Sequence, residues 1–406
     1  MRMTKTQIQL LAFVRCALGD KILPTELRSL STDEKKAIIQ YAQKQGLLPF
    51  LQYFDIFMER DCKDIFFPKA AAAVYEDVRQ TAEIEQLMEA FEENGIYCIP
   101  LKGIRTKKLY PESELRTMGD LDILYKKEQT DELRRVMKEQ GYSWSGEASK
   151  HDHYEKDGRI VEMHKELLSS ESRAYEYFLN IWDRACPEEG RRYCWQMSPE
   201  DHYLFTLYHL IEHFIRGGIG IRMVLDIYIL SSLPEMDKEK VAAELKKLKI
   251  DRFEKNIRSI ANRWFSPALQ SRRDACVQQD VRPRRESTDT GSGMYLQKME
   301  EMEAYIVNGG IFGNTENDYA NNALRYGSRV QFLKSVIFPS YKTMQSVFPR
   351  LNSPLLLPAA WIKRWWNVWT KRRENIRGQL ERADQISWQD RAYVEKQRRF
   401  FRRCGL

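Results

Sequence analysis

Paired cysteines, long apolar runs and histidine are what this 406-residue chain has least of. Its seven cysteines (Cys16, Cys62, Cys98, Cys186, Cys194, Cys276, Cys404) are scattered, odd in number and include no C-x-x-C pair. That argues against a disulfide framework and suits reduced thiols in the cytoplasm. No window approaches the roughly 20 apolar residues that a spanning helix needs. The opening MRMTKTQIQLLAFVRCALGD has only a short apolar run, broken by Gln and Arg, and no clean cleavage site. Repeats and low-complexity tracts are missing too. The expectation is a cytoplasmic chain, at most peripheral to the inner membrane.

What is present is ordinary in bulk and uneven in placement. Charged residues are 30% and hydrophobic residues 43%, the balance of a soluble globular protein, and the length allows two or three domains. Of the net +7, residues 341–406 carry fifteen Lys and Arg against five Asp and Glu, a local +10, so the rest sums to −3. A basic tail on a near-neutral body points to a polyanion or a membrane surface. In that tail Trp361, Trp365 and Trp369 are four apart, one helical face, with Trp366, Lys363, Arg364, Lys371, Arg372 and Arg373 around them. The pattern fits an interfacial helix on anionic lipid, base stacking with phosphate contacts on RNA, or tryptophans packed on the body behind a solvated basic face.

The rest divides by pattern. Residues 1–94 read as helical scaffold: Ser31-x-x-Glu34 is a capping box, stopped at Gly46, and Ala70–Asn94 keeps Val74, Ile84, Leu87, Met88 and Phe91 at helical spacing. Residues 95–170 read as a small mixed sheet with an amphipathic helix over Glu128–Gly141. Residues 171–265 return to helix, with Pro199 opening one that Gly217-Gly218 stops, then an apolar helix around Ile221. Residues 266–294 lose periodicity and read as a linker or flexible loop. Residues 295–406 are helical, basic and Trp-rich.

Within the sheet region, Ile96–Pro100 reads as a buried strand, Lys102-Gly103 as a turn into a short helix, and Gly119-Asp120-Leu121-Asp122 as the start of a second strand. Strand side chains alternate, so Asp120 and Asp122 share one face while Leu121 and Ile123 enter the core. Two carboxylates held together resist full ionisation unless a cation lies between them, and Mg²⁺ is the hard ion that accepts such ligands. Further on, Asp157-Gly158 is a favoured two-residue hairpin turn. It joins two strands, of which the second places Ile160, Glu162 and His164 on one face. If Glu162 lies beside the Asp pair, the three acids form a two-metal phosphoryl-transfer site. Strand-start turn chemistry for the Asp pair and a solvent-facing Glu162 are the bland alternatives.

This succession of strand, glycine turn, short helix, acid-apolar-acid strand and later lone acid resembles the nucleotidyltransferase fold of the DNA polymerase β type. More narrowly, LKG, YP, R-x-x-GDLDIL and VEMH resemble an uncharacterised bacterial nucleotidyltransferase family with Leu-Lys-Gly and Asp-hydrophobic-Asp signatures. Pro199–Leu230 and Phe338–Trp366 also resemble that family's flanking segments. The resemblance implies an α+β fold, a small mixed-sheet core embedded in a mostly helical chain. It implies transfer from an NTP such as ATP to an acceptor hydroxyl or phosphate. Asp120, Asp122 and Glu162 would then be catalytic and hold two Mg²⁺ ions, with Mn²⁺ as a substitute. Gly103 is followed by Ile104 rather than the wider fold's Gly or Ser, which leaves Lys102 and Thr106 as substitutes for a serine contact to the triphosphate.

The remaining candidates have bland readings beside them. Lys102, Gly103 and Gly119 suit phosphate binding at a glycine turn, and Arg116 suits the departing pyrophosphate; Lys102 is otherwise a surface lysine. His164 could hydrogen-bond a metal-bound carboxylate or the acceptor, or be a core histidine. All six histidines fall between 151 and 213. His202, His209 and His213 form one helical stripe, expected to pack toward the acids with Arg222 and Asp226 nearby. His209-Leu210-Ile211-Glu212-His213 also matches the H-x-x-E-H zinc-hydrolase pattern, without an evident further acidic ligand. The alternative of another class is an inactive nucleotidyltransferase-like module, binding membrane or RNA through its tail.

Overall fold

The structure, a computed structural model, describes residues 3–147, 151–168, 172–266, 290–310, 353–371 and 391–406, with single positions and short runs between 331 and 351. Five strands form one mixed sheet in the order β1-β2-β5-β4-β3: β1 is Cys98–Pro100, β2 Leu121–Tyr125, β3 Ser143–Glu147, β4 His151–Lys156 and β5 Arg159–His164. β2 and β5 run parallel, and the other neighbouring pairs are antiparallel. The fold is α+β, a small sheet within a mostly helical chain.

Local chemistry explains the register. Asp157 and Gly158 have φ of 51° and 74°, positive at both central residues as a type I′ hairpin turn requires. The turn sets His151 opposite His164 and His153 opposite Glu162. Against β2, β5 aligns so that Asp122 faces Glu162 and Ile123 faces Met163. Leu121, Ile123, Tyr125, Val161 and Met163 then form a core with Leu133, Val136 and Met137 of the helix Thr130–Glu139. Ile84, Leu87, Met88 and Phe91 complete it from the long helix Arg60–Glu93.

That long helix begins ten residues before Ala70 and carries Pro68 inside it. Phe66, buried in the larger core, ties down the added turns, while Val74 faces solvent. The stretch after residue 170 opens with a short helix, Tyr175–Leu179, and then runs extended before helix resumes. Cys186-Pro187 pairs with Trp195-Gln196, and the Cys98 amide donates to Tyr193 O at 3.0 Å, so extended chain covers the outer edge of β1. β3, unmarked in the sequence pattern, forms the opposite edge.

The helical boundaries follow their caps. Ser31 Oγ accepts from the Glu34 amide, Glu34 returns the bond to the Ser31 amide, and Gly46 at φ 67° ends the helix. Ser198 caps Pro199–Arg216, which stops at Gly217. A larger core joins the N-terminal helices, the helices between 199 and 265, Thr290–Asn308 and Arg391–Cys404. The expected linker 266–294 falls mostly outside the described residues, as do Arg372 and Arg373. In the helix Leu357–Lys371, the Trp361 and Trp365 indoles donate to Pro339 O and Ile337 O at 3.0 and 2.8 Å, with Phe338 edge-on to both. Trp366 and Ile362 are exposed.

Candidate active site

The Leu101 amide donates to Asp122 O at 2.9 Å, extending the β1–β2 pairing by one residue. Lys102 follows at φ 40°, uncommon for a residue with a side chain, as the chain turns into the helix Lys102–Thr106. Its ammonium donates to Asp122 Oδ1 at 3.1 Å. His164 Nε2 donates to the same oxygen at 2.8 Å. Asp120, exposed where β2 begins, Asp122 and Glu162 bring donor oxygens within 4.8 Å of one another. Strand alternation delivers the first two and parallel pairing the third.

The charges are unequal in consequence. Partial exclusion of water, then the Asp122 and Glu162 charges, push the Asp120 carboxyl above its ordinary range. Burial resists ionisation of Asp122 too, but Lys102 and His164 outweigh it and hold that carboxyl far below the usual range. Glu162 is also held low: burial opposes its charge, and hydrogen bonding from His164 with the nearby His151 prevails. Burial opposes the His164 imidazolium, yet Asp122 and Glu162 hold its pKa above 6.5.

Arg116 is held by an acid outside the triad. It is buried, and its Nε and Nη2 donate to the two oxygens of Asp226, each at 2.9 Å. Tyr110 donates to Asp226 as well, at 2.7 Å. Arg222 donates through Nη1 to Thr117 O, while its Nε has no partner. Gly103 lies under this layer: a Cβ there would come within 2.5 Å of Arg116 Nη1 and 2.6 Å of Met118 Sδ. A Cβ on Gly119 would meet nothing within 4 Å. Thr106, fully buried, donates to Lys102 O at 2.9 Å and sits 3.1 Å from His202 Nε2, which encloses its hydroxyl.

The helix Pro199–Arg216 turns its histidines toward the acids. His209 and His213 lie edge-to-face at 4.4 Å. Burial, then the Lys102 charge, pushes both below 6.5, so they are neutral imidazoles at neutral pH. Among the described residues neither joins a group of three metal-ligating side chains. Two residues escaped notice in the sequence, His151 and His153. They stack at 4.7 Å, 4° from parallel, on the face that carries Glu162. Their signal was arithmetic: a two-residue turn at Asp157-Gly158 pairs positions whose numbers sum alike, which sets H-x-H opposite E-x-H.

A Lys-Gly turn after the first strand, an acid-apolar-acid second strand and a third acid on its parallel neighbour are the features of a nucleotidyltransferase class of core. The family model described as uncharacterised nucleotidyltransferase matches residues 31–266, more than half of the chain, and the protein belongs to that family. No curated protein matches the chain. Among solved structures, that of the antibiotic-resistance factor ANT(2'')-Ia in solution is similar at 16% identity and a TM-score of 0.31, over 50% of this chain and 97% of that one. Family membership makes the chain a transferase of nucleotidyl groups with a nucleotide substrate.

Proposed function

We propose that this protein is a metal-dependent nucleotidyltransferase, moving a nucleotidyl group from an NTP, ATP among the candidates, to an acceptor hydroxyl or phosphate with release of pyrophosphate. The observation that carries the reading is the convergence of Asp120, Asp122 and Glu162 donor oxygens within 4.8 Å. The set fits a divalent ion: all three donors are hard oxygens, and the Asp120 carboxyl is raised by burial and then by the neighbouring Asp122 and Glu162 charges, both of which a cation would offset. When bound, two Mg²⁺, or Mn²⁺ in their place, would lower the pKa of the attacking group and neutralise charge on the transferred phosphate.

The chain's own groups then divide the work. His164 holds Asp122 in one orientation. Lys102, released from Asp122 once that carboxylate has another cation, would meet phosphate oxygens, together with the Gly103 and Gly119 backbone. Arg116 is committed to Asp226, and Arg222 supplies the neighbouring positive charge with an unused Nε–H. A reaction with each α-labelled NTP, Mg²⁺ or Mn²⁺ and cell extract tests the reading. Label should enter one fraction, and Asp122→Asn should remove it while the circular-dichroism spectrum stays unchanged. Transfer by Asp122→Asn at the wild-type rate would sink the proposal.

A second reading concerns the helix Leu357–Lys371. Leu355, Leu356, Ile362 and Trp366 are exposed beside Lys363, the make-up of a segment that lies on anionic lipid. Among the described residues no helix is long and apolar enough to cross a membrane. Flotation with phosphatidylserine vesicles, lost in Ile362→Glu, supports seating at a surface; protein that stays at the bottom of the gradient removes it.

A further inference from the structure

The sheet face that carries the acids also carries three imidazoles, gathered around the one carboxylate of Glu162 at distances longer than a good hydrogen bond. His151 Nε2 and His164 Nε2 each lie 3.5 Å from one oxygen, Glu162 Oε2, and His153 Nε2 lies 3.5 Å from the other, Oε1. An N–H···O bond closes at about 2.9 Å. Neighbouring donors on a tetrahedral ion with bonds of about 2.0–2.1 Å stand about 3.4 Å apart. His151, Glu162 and His164 each present one donor atom, and all three lie within 4.8 Å of one another. Protein partners satisfy these rings only in part: His164 Nε2 is hydrogen-bonded to Asp122, whereas His153 Nε2 and the Nδ1 atoms of His151 and His164 are buried without a hydrogen-bond partner.

We propose that His151, Glu162 and His164 form a cation site of their own, one that takes a borderline transition ion, Zn²⁺ in the first instance. Two imidazole nitrogens and one carboxylate are donors that Zn²⁺ accepts and that Mg²⁺, an ion of oxygen ligands, does not favour. The all-oxygen set of Asp120, Asp122 and Glu162 differs from it in chemistry and shares only Glu162. Ligation by His164 displaces the Nε2 proton now donated to Asp122, and that proton passes to solvent. Three protein donors leave a fourth position open, suited to a water or to the acceptor's oxygen. Only this last role rests on the nucleotidyl-transfer reading; the site itself does not.

The test uses full-length, chelator-stripped protein and Zn²⁺ alone, with no nucleotide. X-ray absorption of the Zn²⁺-loaded wild type should show nitrogen and oxygen ligands with imidazole scattering and no sulfur. In competition with a chromogenic chelator, His151→Gln should weaken binding at least about tenfold, Asp120→Asn should leave it nearly unchanged, and millimolar Mg²⁺ should not displace the ion. Sulfur scattering, absence of imidazole scattering, or equal affinity in a folded His151→Gln overturns the proposal. The absorption spectrum comes from the wild type, so a variant that misfolds leaves the test standing. Failure of the nucleotidyl-transfer reading would show instead in the labelling reaction, to which no Zn²⁺ is added.

Discussion

Single residues here act through what surrounds them, and His202 shows it most directly. It is enclosed against Thr106, and burial, then the charges of Arg105 and Arg116, lowers its pKa from 6.5 to about 4. The folded protein therefore keeps His202 neutral where the unfolded chain would take up a proton. Its contribution to stability is complete above pH 6.5 and is lost as pH falls toward 4. Between pH 7 and pH 5 that loss should be about 2 kcal/mol, read as the amount by which the shift in urea-unfolding stability is smaller in His202→Gln than in wild type. Gly103 answers to its neighbours likewise. Arg116 is held along one edge, through Nε and Nη2, by Asp226, which limits how far its Nη1 can move from an added Cβ, so Gly103→Ala should cost roughly 1–3 kcal/mol in the same assay. A variant as stable as wild type would show that Arg116 has another position available.

At the scale of elements, the β4–β5 hairpin determines more of the site than any other unit. Its turn aligns His151, His153, Glu162 and His164, and through β5 it presents Glu162 to Asp122. A Cβ on Gly158 would meet no atom within 4 Å, so replacing it tests backbone conformation alone. Gly158→Val should cost about 1–2 kcal/mol, the penalty of a left-handed residue with a side chain, measured by thermal or urea unfolding. Asp157→Asn should be close to neutral, because Asn-Gly serves the same turn. A Gly158→Val protein of unchanged stability would mean that the turn is not what holds the register.

For the molecule as a whole, the C-terminal helix is part of the interior. Phe400 and Phe401 pack around Phe214 and Tyr305, and Asn256 donates to Cys404 O at 2.9 Å. Helices near the two ends of the sequence thus share one core with those between 199 and 265. Phe401→Ala should destabilise the protein by about 3–5 kcal/mol, and deleting residues 391–406 should expose enough apolar surface to cause aggregation. A monomeric truncated protein that unfolds at the wild-type midpoint would contradict this.

Much of the fold was legible because its causes are local. The capping box at Ser31, the stop at Gly46, the turn at Asp157-Gly158 and the shared face of Asp120 and Asp122 each depend on residues a few positions apart. The helix start at Arg60 was hidden because burial of Phe66 overrides what Pro68 suggests. β3 and the extended run at Cys186–Gln196 were hidden because sheet edges are filled by whatever segment the fold brings there.

By itself, the order of residues determined which side chains share a strand face, where the chain turns, and that three acids lay within reach of one region. Only the tertiary structure decided that β5 runs parallel to β2 with Glu162 level with Asp122, that Asp226 claims Arg116 from 110 positions away, and that His151 and His164 close on one carboxylate. The reason is range: alternation and turn dihedrals follow from neighbouring residues, whereas a charge's partner and a strand's neighbour depend on which distant surfaces are buried together.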